Sequence, residues 1–130
     1  MFSWKRPGGL GVRDGKLAPC KRSPNCVSSQ ADPADAEHYI APIAFGGDAI
    51  AAVRKALQSM RDVRVVSAEP GYLYAEFRTP LLRFVDDVEF FHDAAAGLIH
   101  VRSASRLGRR DFGVNRRRVE ALRSLLQSGA

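Results

Sequence analysis

The spacing of apolar residues predicts two helices. The first follows Asp48, a residue type that caps helix N-termini well, and the second covers residues 114–128. In both segments apolar residues recur three or four positions apart, so one stripe of each helix is expected to be buried. The predicted stripes are Ile50, Val53, Leu57 and Met60 in the first helix and Val119, Leu122 and Leu126 in the second.

Segments rich in alternating or β-branched residues lie between these helices and predict four strands. The strands cover residues 63–68, 72–79, 84–93 and 98–105. A further short strand is expected over residues 39–43, limited by Pro42. This order of elements predicts a single α+β domain, in which two helices cover one face of a single antiparallel sheet of four to five strands.

The last two predicted strands form a hairpin whose register can be worked out. If Asp93 pairs with Leu98 across the loop of residues 94–97, Glu89 lies opposite Arg102. Because side chains alternate between the faces of a sheet, one face is expected to be polar and the other apolar. The polar face carries Asp87, Glu89, His100, Arg102 and Arg106, and the apolar face carries Phe84, Val88, Phe90, Ile99 and Val101.

Asp86 is the exception on the apolar face. A buried carboxylate is costly unless it is paired or hydrogen-bonded. The nearest candidate cations are the three arginines at residues 116–118, which begin the last helix, where positive charge is unfavourable. The buried carboxylate and the positive charge at the helix N-terminus compensate each other if Asp86 forms a buried ion pair with Arg116 or Arg118. We therefore expect such an ion pair between the hairpin and the last helix.

All of the net positive charge lies in one segment. The chain has 20 basic and 14 acidic residues, for a net charge of +6. Residues 102–118, the arginine segment, contain seven arginines and a single acidic residue, Asp111, and so carry the whole excess. Guanidinium groups bind carboxylates and phosphates in bidentate geometry. These arginines either neutralise the acidic residues at 86–89 or bind an external anion.

Length and composition fit one globular domain, with 130 residues, of which 45% are hydrophobic and 26% charged. Residues 1–17 are basic and rich in glycine, and a flexible arm is expected there, ahead of a globular domain over residues 18–130. No apolar run is long enough to span a membrane. Because the first residues lack the apolar core of a secretory signal, a cytoplasmic location is expected.

The two cysteines, Cys20 and Cys26, are expected to form a disulfide or a thiol pair. A reducing cytosol would favour the thiols, and redox chemistry is a second possibility. A metal site is disfavoured because His38 could add a ligand but a fourth is not visible nearby. Ser28 and Ser29, which follow the cysteines, have no obvious histidine partner for nucleophilic catalysis.

The preferred hypothesis is binding of a small anionic ligand or an acidic protein partner. Gly108 and Gly113 flank a loop that leads into a helix N-terminus, and such loops bind anions through backbone N–H groups. Nucleic acid is disfavoured because Phe112 is the only aromatic residue in the arginine segment. The candidate ligand-binding residues are Asp86, Asp87, Glu89, Arg102, Ser103, Ser105, Arg106, Asp111, Asn115, Arg116 and Arg118.

A hydrolase-like enzyme and a purely structural charge lattice are the alternatives. In the enzyme hypothesis Asp86, Asp87 and Glu89 serve as acid/base or metal-binding carboxylates, assisted by His92 or His100. Strand alternation weakens it, since it sends these carboxylates to both faces of the sheet. No cofactor is predicted, and no nucleotide-binding, zinc-protease or serine-hydrolase motif is present.

Three segments resemble the family catalogued as domain of unknown function 1499: LAPCKRSPNCVSSQ at 17–30, FVDDVEF at 84–90 and HVRSASRLGRRDFGVNRRRVEAL at 100–122. The resemblance covers residues 17–126 and implies no particular activity. It does imply that the three segments form one polar site at one end of the domain. The motif positions are Cys20, Asn25, Cys26, Ser28, Ser29, Asp86, Asp87, Glu89, Arg102, Ser103, Ser105, Arg106, Gly108, Asp111, Gly113, Asn115, Arg116 and Arg118.

Overall fold

The computed structural model describes residues 5–79, 84–108 and 110–128; the first four residues of the predicted arm and the last two of the predicted domain lie outside these ranges. The predicted α+β class is confirmed, with two helices and a single antiparallel sheet in the described part of the chain. The elements are β1 (Cys26–Ser28), β2 (Ile43–Ala44), α1 (Ala49–Gln58), β3 (Val63–Glu69), β4 (Tyr72–Arg78), β5 (Val85–Asp93), β6 (Leu98–Ser105) and α2 (Val114–Gln127).

The sheet has six strands, so the expected four to five was too few. The strand order is β1-β6-β5-β4-β3, and β2 also pairs with β6. The short strand expected over residues 39–43 is found only as β2, at Ile43–Ala44. Strands β1 and β2 have three and two residues, which is too few for alternation to show in the sequence. They are strands because β6 offers them a free edge, where Cys26 pairs with Ala104 and Ile43 with Ile99.

Both helices pack against one face of this sheet and form the core with it. The three residues of the predicted α2 stripe are all buried, whereas in α1 Val53 and Leu57 are buried and Ile50 and Met60 lie at its edge. Burying one such aliphatic side chain contributes about 1.5–3 kcal/mol. The sheet supplies Leu73, Ala75, Phe77, Val88, Phe90, Ile99 and Val101 to this core.

The predicted hairpin register is confirmed. Asp93 pairs with Leu98, Glu89 with Arg102, and Asp86 with Ser105 near the other end of the hairpin. Strand β5 begins one residue later than predicted, at Val85. Asp86 therefore faces the helices while Asp87 and Glu89 face away from them, as alternation requires.

Residues 5–17 of the predicted arm lie across the sheet face that is opposite the helices. The Arg6 guanidinium donates to Glu76 at 2.8 Å, and the backbone N–H of Gly11 donates to Glu89 at 2.7 Å. At the end of the arm, the backbone N–H of Leu17 donates to the Gln30 side chain at 2.8 Å. The arm thus forms a third layer, so that both faces of the sheet are covered.

His38 connects its own loop to the segment around Ser23. Its Nδ1 lies 2.8 Å from Asp35 Oδ2, and its Nε2 lies 2.9 Å from the backbone carbonyl oxygen of Ser23. Both ring nitrogens face acceptors, which favours the doubly protonated ring. The pKa of His38 is therefore raised above its ordinary value by the Ser23 carbonyl and the Asp35 carboxylate, although burial opposes the shift.

This raised pKa predicts a specific pH dependence of stability. His38 stabilises the fold fully below its unfolded pKa of about 6.5, and this contribution is lost as the pH rises through the folded pKa. Burial lowers the pKa of His100, so His100 acts in the opposite sense. We therefore expect the difference in unfolding free energy between wild type and His38→Gln to shrink as the pH rises above about 6.5. Urea unfolding measured across this pH range tests this, and a constant difference contradicts it.

Candidate functional site

The predicted site residues lie on both faces of the hairpin and do not form one site. The helix-side cluster lies between the sheet and α2, and the arm-side cluster lies between the sheet and the arm. Alternation along β5 causes this separation, because neighbouring carboxylates point to opposite faces. The helix-side cluster is Asp86, Ser103, Ser105, Asp111, Asn115 and Arg118, and the arm-side cluster is Tyr72, Tyr74, Glu76, Asp87, Glu89, Arg102 and Arg106.

The expected buried ion pair forms in the helix-side cluster, with Arg118 as the partner. Arg118 Nη2 lies 2.7 Å from Asp86 Oδ2, and the Asp86 residue is 1% exposed. The guanidinium also stacks over the Phe77 ring, 4.5 Å from its centroid. Burial raises the pKa of Asp86 even though Arg118 acts to lower it. Asp86 Oδ1 has no hydrogen-bond partner among the described residues, which is consistent with that shift.

Asn115 is completely buried and holds the helix-side cluster together. Its side-chain carbonyl oxygen accepts from Ser103 Oγ at 2.6 Å and from Arg118 Nη1 at 2.8 Å. Its amide nitrogen donates to Ser105 Oγ at 3.0 Å and to the backbone carbonyl of Asn25 at 3.2 Å. One side chain therefore connects β6, α2 and the start of β1.

Asp111 explains how α2 begins with arginines in its first turn. Its carboxylate accepts from the backbone N–H of Gly113 at 2.9 Å, from the backbone N–H of Asn115 at 3.2 Å and from the Asn115 side chain at 2.8 Å. A negative charge at this position compensates the positive end of the helix. Gly113, the N-cap residue, has a φ of 80°, a conformation that glycine adopts without steric cost.

Arg106 is neutralised within the arm-side cluster. Its Nε and Nη2 bind the two oxygens of Asp87 at 2.8 Å each, and Nη2 also lies 2.7 Å from Glu76. The Tyr74 hydroxyl donates to Asp87 and, at 3.0 Å, to Glu76. The hydrogen bonds to Asp87 raise the pKa of Arg106, although burial opposes the shift. Arg106 therefore stabilises the fold through ion pairs within the protein.

Glu89 is fully buried, and neutral groups hold it. The Tyr72 hydroxyl donates to Glu89 Oε2 at 2.6 Å, and the Gly11 N–H donates to the same oxygen at 2.7 Å. Burial, reinforced by Glu89, raises the pKa of Tyr72, so the hydroxyl stays protonated and remains a donor. Arg102 on β6 lies directly opposite Glu89 on β5, but the two side chains form no ion pair.

Arg102 therefore has no anionic partner among the described residues. Its Nη2 donates to the backbone carbonyl of Pro19 at 3.2 Å, and its buried Nε has no hydrogen-bond partner there. Burial lowers the pKa of Arg102, while Glu89 and Asp87 act to raise it. The side chain lines a cleft of about 580 Å³ between the arm, residues 19–26 and β6, which we call the Arg102 cleft. Other polar side chains lining it are Lys5, Lys21, Ser23, Asn25, Asp87, Ser105 and Arg106.

Arg116 lies apart from the other candidate arginines. Its Nη2 donates to the backbone carbonyls of Ala36 and Glu37 at 3.2 and 3.3 Å. It lines a different cleft, of about 390 Å³, together with Arg110 and Phe112. Phe112 is 83% exposed and has a φ of 53°. The structure thus brings Arg102 and Arg106 to one cleft and Arg116 to another.

Cys20 and Cys26 form a disulfide with a Cα–Cα distance of 5.7 Å, and residues 20–26 are called the disulfide loop. The disulfide loop packs against the arginine segment. Asn25 Nδ2 donates to the backbone carbonyls of Leu107 and Gly108 at 3.1 and 2.7 Å. The disulfide loop is thereby held beside the Arg102 cleft, whose lining includes Cys26.

The expectation that Ser29 lacks a histidine partner is wrong. Ser29 Oγ lies 3.0 Å from His100 Nδ1 and accepts a hydrogen bond from the Val101 N–H at 2.9 Å. The two residues are 71 positions apart, so only the pairing of β6 brings them together. Ser29 is buried, and the pair joins the chain beyond β1 to the middle of β6. In the described ranges, no group of three or more histidine, cysteine or acidic side chains is arranged to hold a metal ion.

Comparison with known proteins identifies the family. The model of the family described as "Protein of unknown function (DUF1499)" matches residues 16–126. The chain therefore belongs to this family, as its three motifs indicated. No curated protein matches it. No solved structure matches it either. No helix in the described part of the chain is long and apolar enough to cross a membrane.

The Asp86–Arg118 pair predicts a large effect of a single substitution. Asp86→Ala leaves the Arg118 guanidinium buried without its counter-ion, and we expect a loss of about 3–5 kcal/mol in unfolding free energy. Glu120→Ala is the control, since Glu120 pairs with Arg123 at the surface. Its expected cost is about 0.2–1 kcal/mol. Urea midpoints of both variants measure this difference, and near-wild-type stability of Asp86→Ala would rule out a structural role for the pair.

Proposed function

We propose that this member of the DUF1499 family binds a small anionic ligand in the Arg102 cleft. The observation that carries the proposal is the state of Arg102. It is half-buried, it has no ion-pair partner among the described residues, and its Nε lacks any hydrogen-bond partner there. A buried guanidinium normally has an anionic partner, because desolvating an unpaired charge is costly.

The surroundings of Arg102 favour a compact oxyanion such as a phosphate or a carboxylate. Lys5 and Lys21 line the same cleft and add positive charge, whereas its one acidic residue, Asp87, is already neutralised by Arg106. Ser23 and Asn25 also line the cleft, but their donors are used within the protein, by Asn25 Oδ1 and by the Leu107 and Gly108 carbonyls, so the basic side chains are the donors for the anion. Charge-assisted hydrogen bonds to a guanidinium contribute about 1.5–3 kcal/mol each, enough for specific binding when two or three form.

The geometry at Arg102 favours binding of a small anion over hydrolysis and over nucleic-acid recognition. Asp86 and the pair Asp87 and Glu89 point to opposite faces of β5, so they do not form the shared carboxylate site that hydrolysis would use. Nucleic acid is disfavoured at the Arg102 cleft because the described residues that line it include no aromatic side chain on which a base could stack.

Substitution of Arg102 tests the proposal with inorganic phosphate and citrate as probes. We expect Arg102→Gln to weaken binding at least about tenfold, the equivalent of roughly 1.4 kcal/mol, because it removes the charge and the bidentate donors. Arg102→Lys should recover part of the affinity, since it restores charge without the planar fork. Isothermal titration calorimetry at constant ionic strength gives the affinities.

Arg54→Gln is the matched control, because Arg54 is an exposed arginine on α1 and lies outside the Arg102 cleft. It removes the same charge and should leave binding unchanged. Equal losses in the Arg54 and Arg102 variants would show that only net charge matters. No detectable binding of either probe to the wild-type protein would refute the proposal.

A further inference from the structure

A second cleft, of about 680 Å³, adjoins the Arg102 cleft and shares part of its wall. Gly9, Ala18, Pro19 and Lys21 line both clefts, so the two form one continuous depression around the disulfide loop. The second cleft is also lined by basic side chains from the arm and the disulfide loop. These are Arg13, Lys16, Lys21 and Arg22.

The basic residues around this depression are available to a partner. Lys5, Arg13, Lys16, Lys21 and Arg22 are all exposed, and none of them forms an ion pair among the described residues. Two acidic residues, Asp32 and Asp35, lie along the second cleft. The Asp35 carboxylate is bound to His38. Positive charge therefore predominates along the whole depression.

The backbone that carries the basic residues of the arm has a defined conformation. Arg13 and Lys16 pair through two backbone hydrogen bonds of 2.9 and 3.1 Å, across a turn in which Asp14 has a φ of 54° and Gly15 a φ of 74°. Gln30 anchors this turn, because its side chain accepts from the Leu17 N–H and donates to the Gly15 carbonyl at 3.0 Å. A surface that is ordered before binding loses less conformational entropy on association.

From this arrangement we infer that the arm and the disulfide loop form a docking surface for an acidic segment of a partner protein. The inference rests on the proposed function of the Arg102 cleft and extends it. One carboxylate of the segment occupies the Arg102 cleft, and further carboxylates meet the basic residues of the second cleft. Charge complementarity of this kind provides specificity and accelerates association.

The surface chemistry favours an acidic protein over a nucleic acid. The described residues that line the two clefts include no phenylalanine, tyrosine or tryptophan, so these residues offer bases no stacking platform. Apolar groups lie between the basic residues instead, including Leu10, Leu17 and Pro19. Such groups can pack against the aliphatic stems and side chains of a peptide.

A glutamate-rich peptide that carries a fluorophore is the probe, and a single-stranded oligonucleotide of equal charge is the competing probe. The test variant combines Arg13→Glu and Lys16→Glu, which lie outside the Arg102 cleft. The matched control combines Arg54→Glu and Lys55→Glu, which change the net charge equally on the exposed face of α1. Fluorescence anisotropy gives the affinities, and thermal unfolding verifies that each variant is folded. If the arm variant is unfolded, Arg22→Glu, which lines only the second cleft, replaces it, with Arg54→Glu as its control.

We expect the arm variant to bind the peptide at least about tenfold more weakly than wild type, and the control to stay within about twofold. Phosphate binding at Arg102 should persist in both variants, which separates this inference from the proposed function. Equal losses in both variants would reduce the effect to net charge and overturn the inference. Tighter binding of the oligonucleotide overturns it in favour of nucleic acid. If the peptide fails to bind wild type while phosphate still binds, the docking surface is refuted and the Arg102 cleft stands.

Discussion

The burial of three carboxylates on strand β5 is the constraint on which the arrangement of the other segments depends. Asp86, Asp87 and Glu89 are each at most 2% exposed, and a buried carboxylate must find donors or lose its charge. Each takes its donors from a different part of the chain. Asp86 binds Arg118 on α2, Asp87 binds Arg106 beyond β6, and Glu89 binds the arm through Gly11. One acidic strand thus attaches a helix, a loop and the arm to the sheet.

Two arginines of the arginine segment serve as internal ion-pair partners, which reduces the positive charge that this segment presents to solvent. The sequence places the whole excess charge in residues 102–118, but Arg106 and Arg118 are neutralised by carboxylates inside the protein. The arm and the disulfide loop carry basic side chains that have no such partners among the described residues. Because a paired and buried guanidinium contributes little external field, Arg106 and Arg118 add little to the accessible positive surface, which includes the basic side chains around the disulfide loop.

Features of the fold and of the candidate site could be predicted from the sequence where residues close in the sequence determine them. The hairpin register and the Asp86 bridge followed from the period of two and from the cost of a buried charge, and both are confirmed. Strand β1 could not be predicted, and β2 was expected over residues 39–43 and not at Ile43–Ala44, because the pairing of both strands depends on the edge of β6. The Ser29–His100 pair and the arm contact with Glu89 could not be predicted either. The donor in the arm contact is the backbone N–H of Gly11, which every residue except proline has, so the residue type gives no signal. Long-range partners supply these contacts.

The arm contact also explains why Arg102 can stay charged without a direct partner. Glu89 lies opposite Arg102, but its hydrogen bonds come from the Tyr72 hydroxyl and the Gly11 N–H, which are neutral. Its negative charge is therefore not cancelled, and it offsets part of the cost of burying Arg102 through space. The guanidinium N–H groups are at the same time not used up by Glu89. A buried carboxylate held by neutral donors thus stabilises a neighbouring arginine and leaves its Nε–H without an internal acceptor among the described residues.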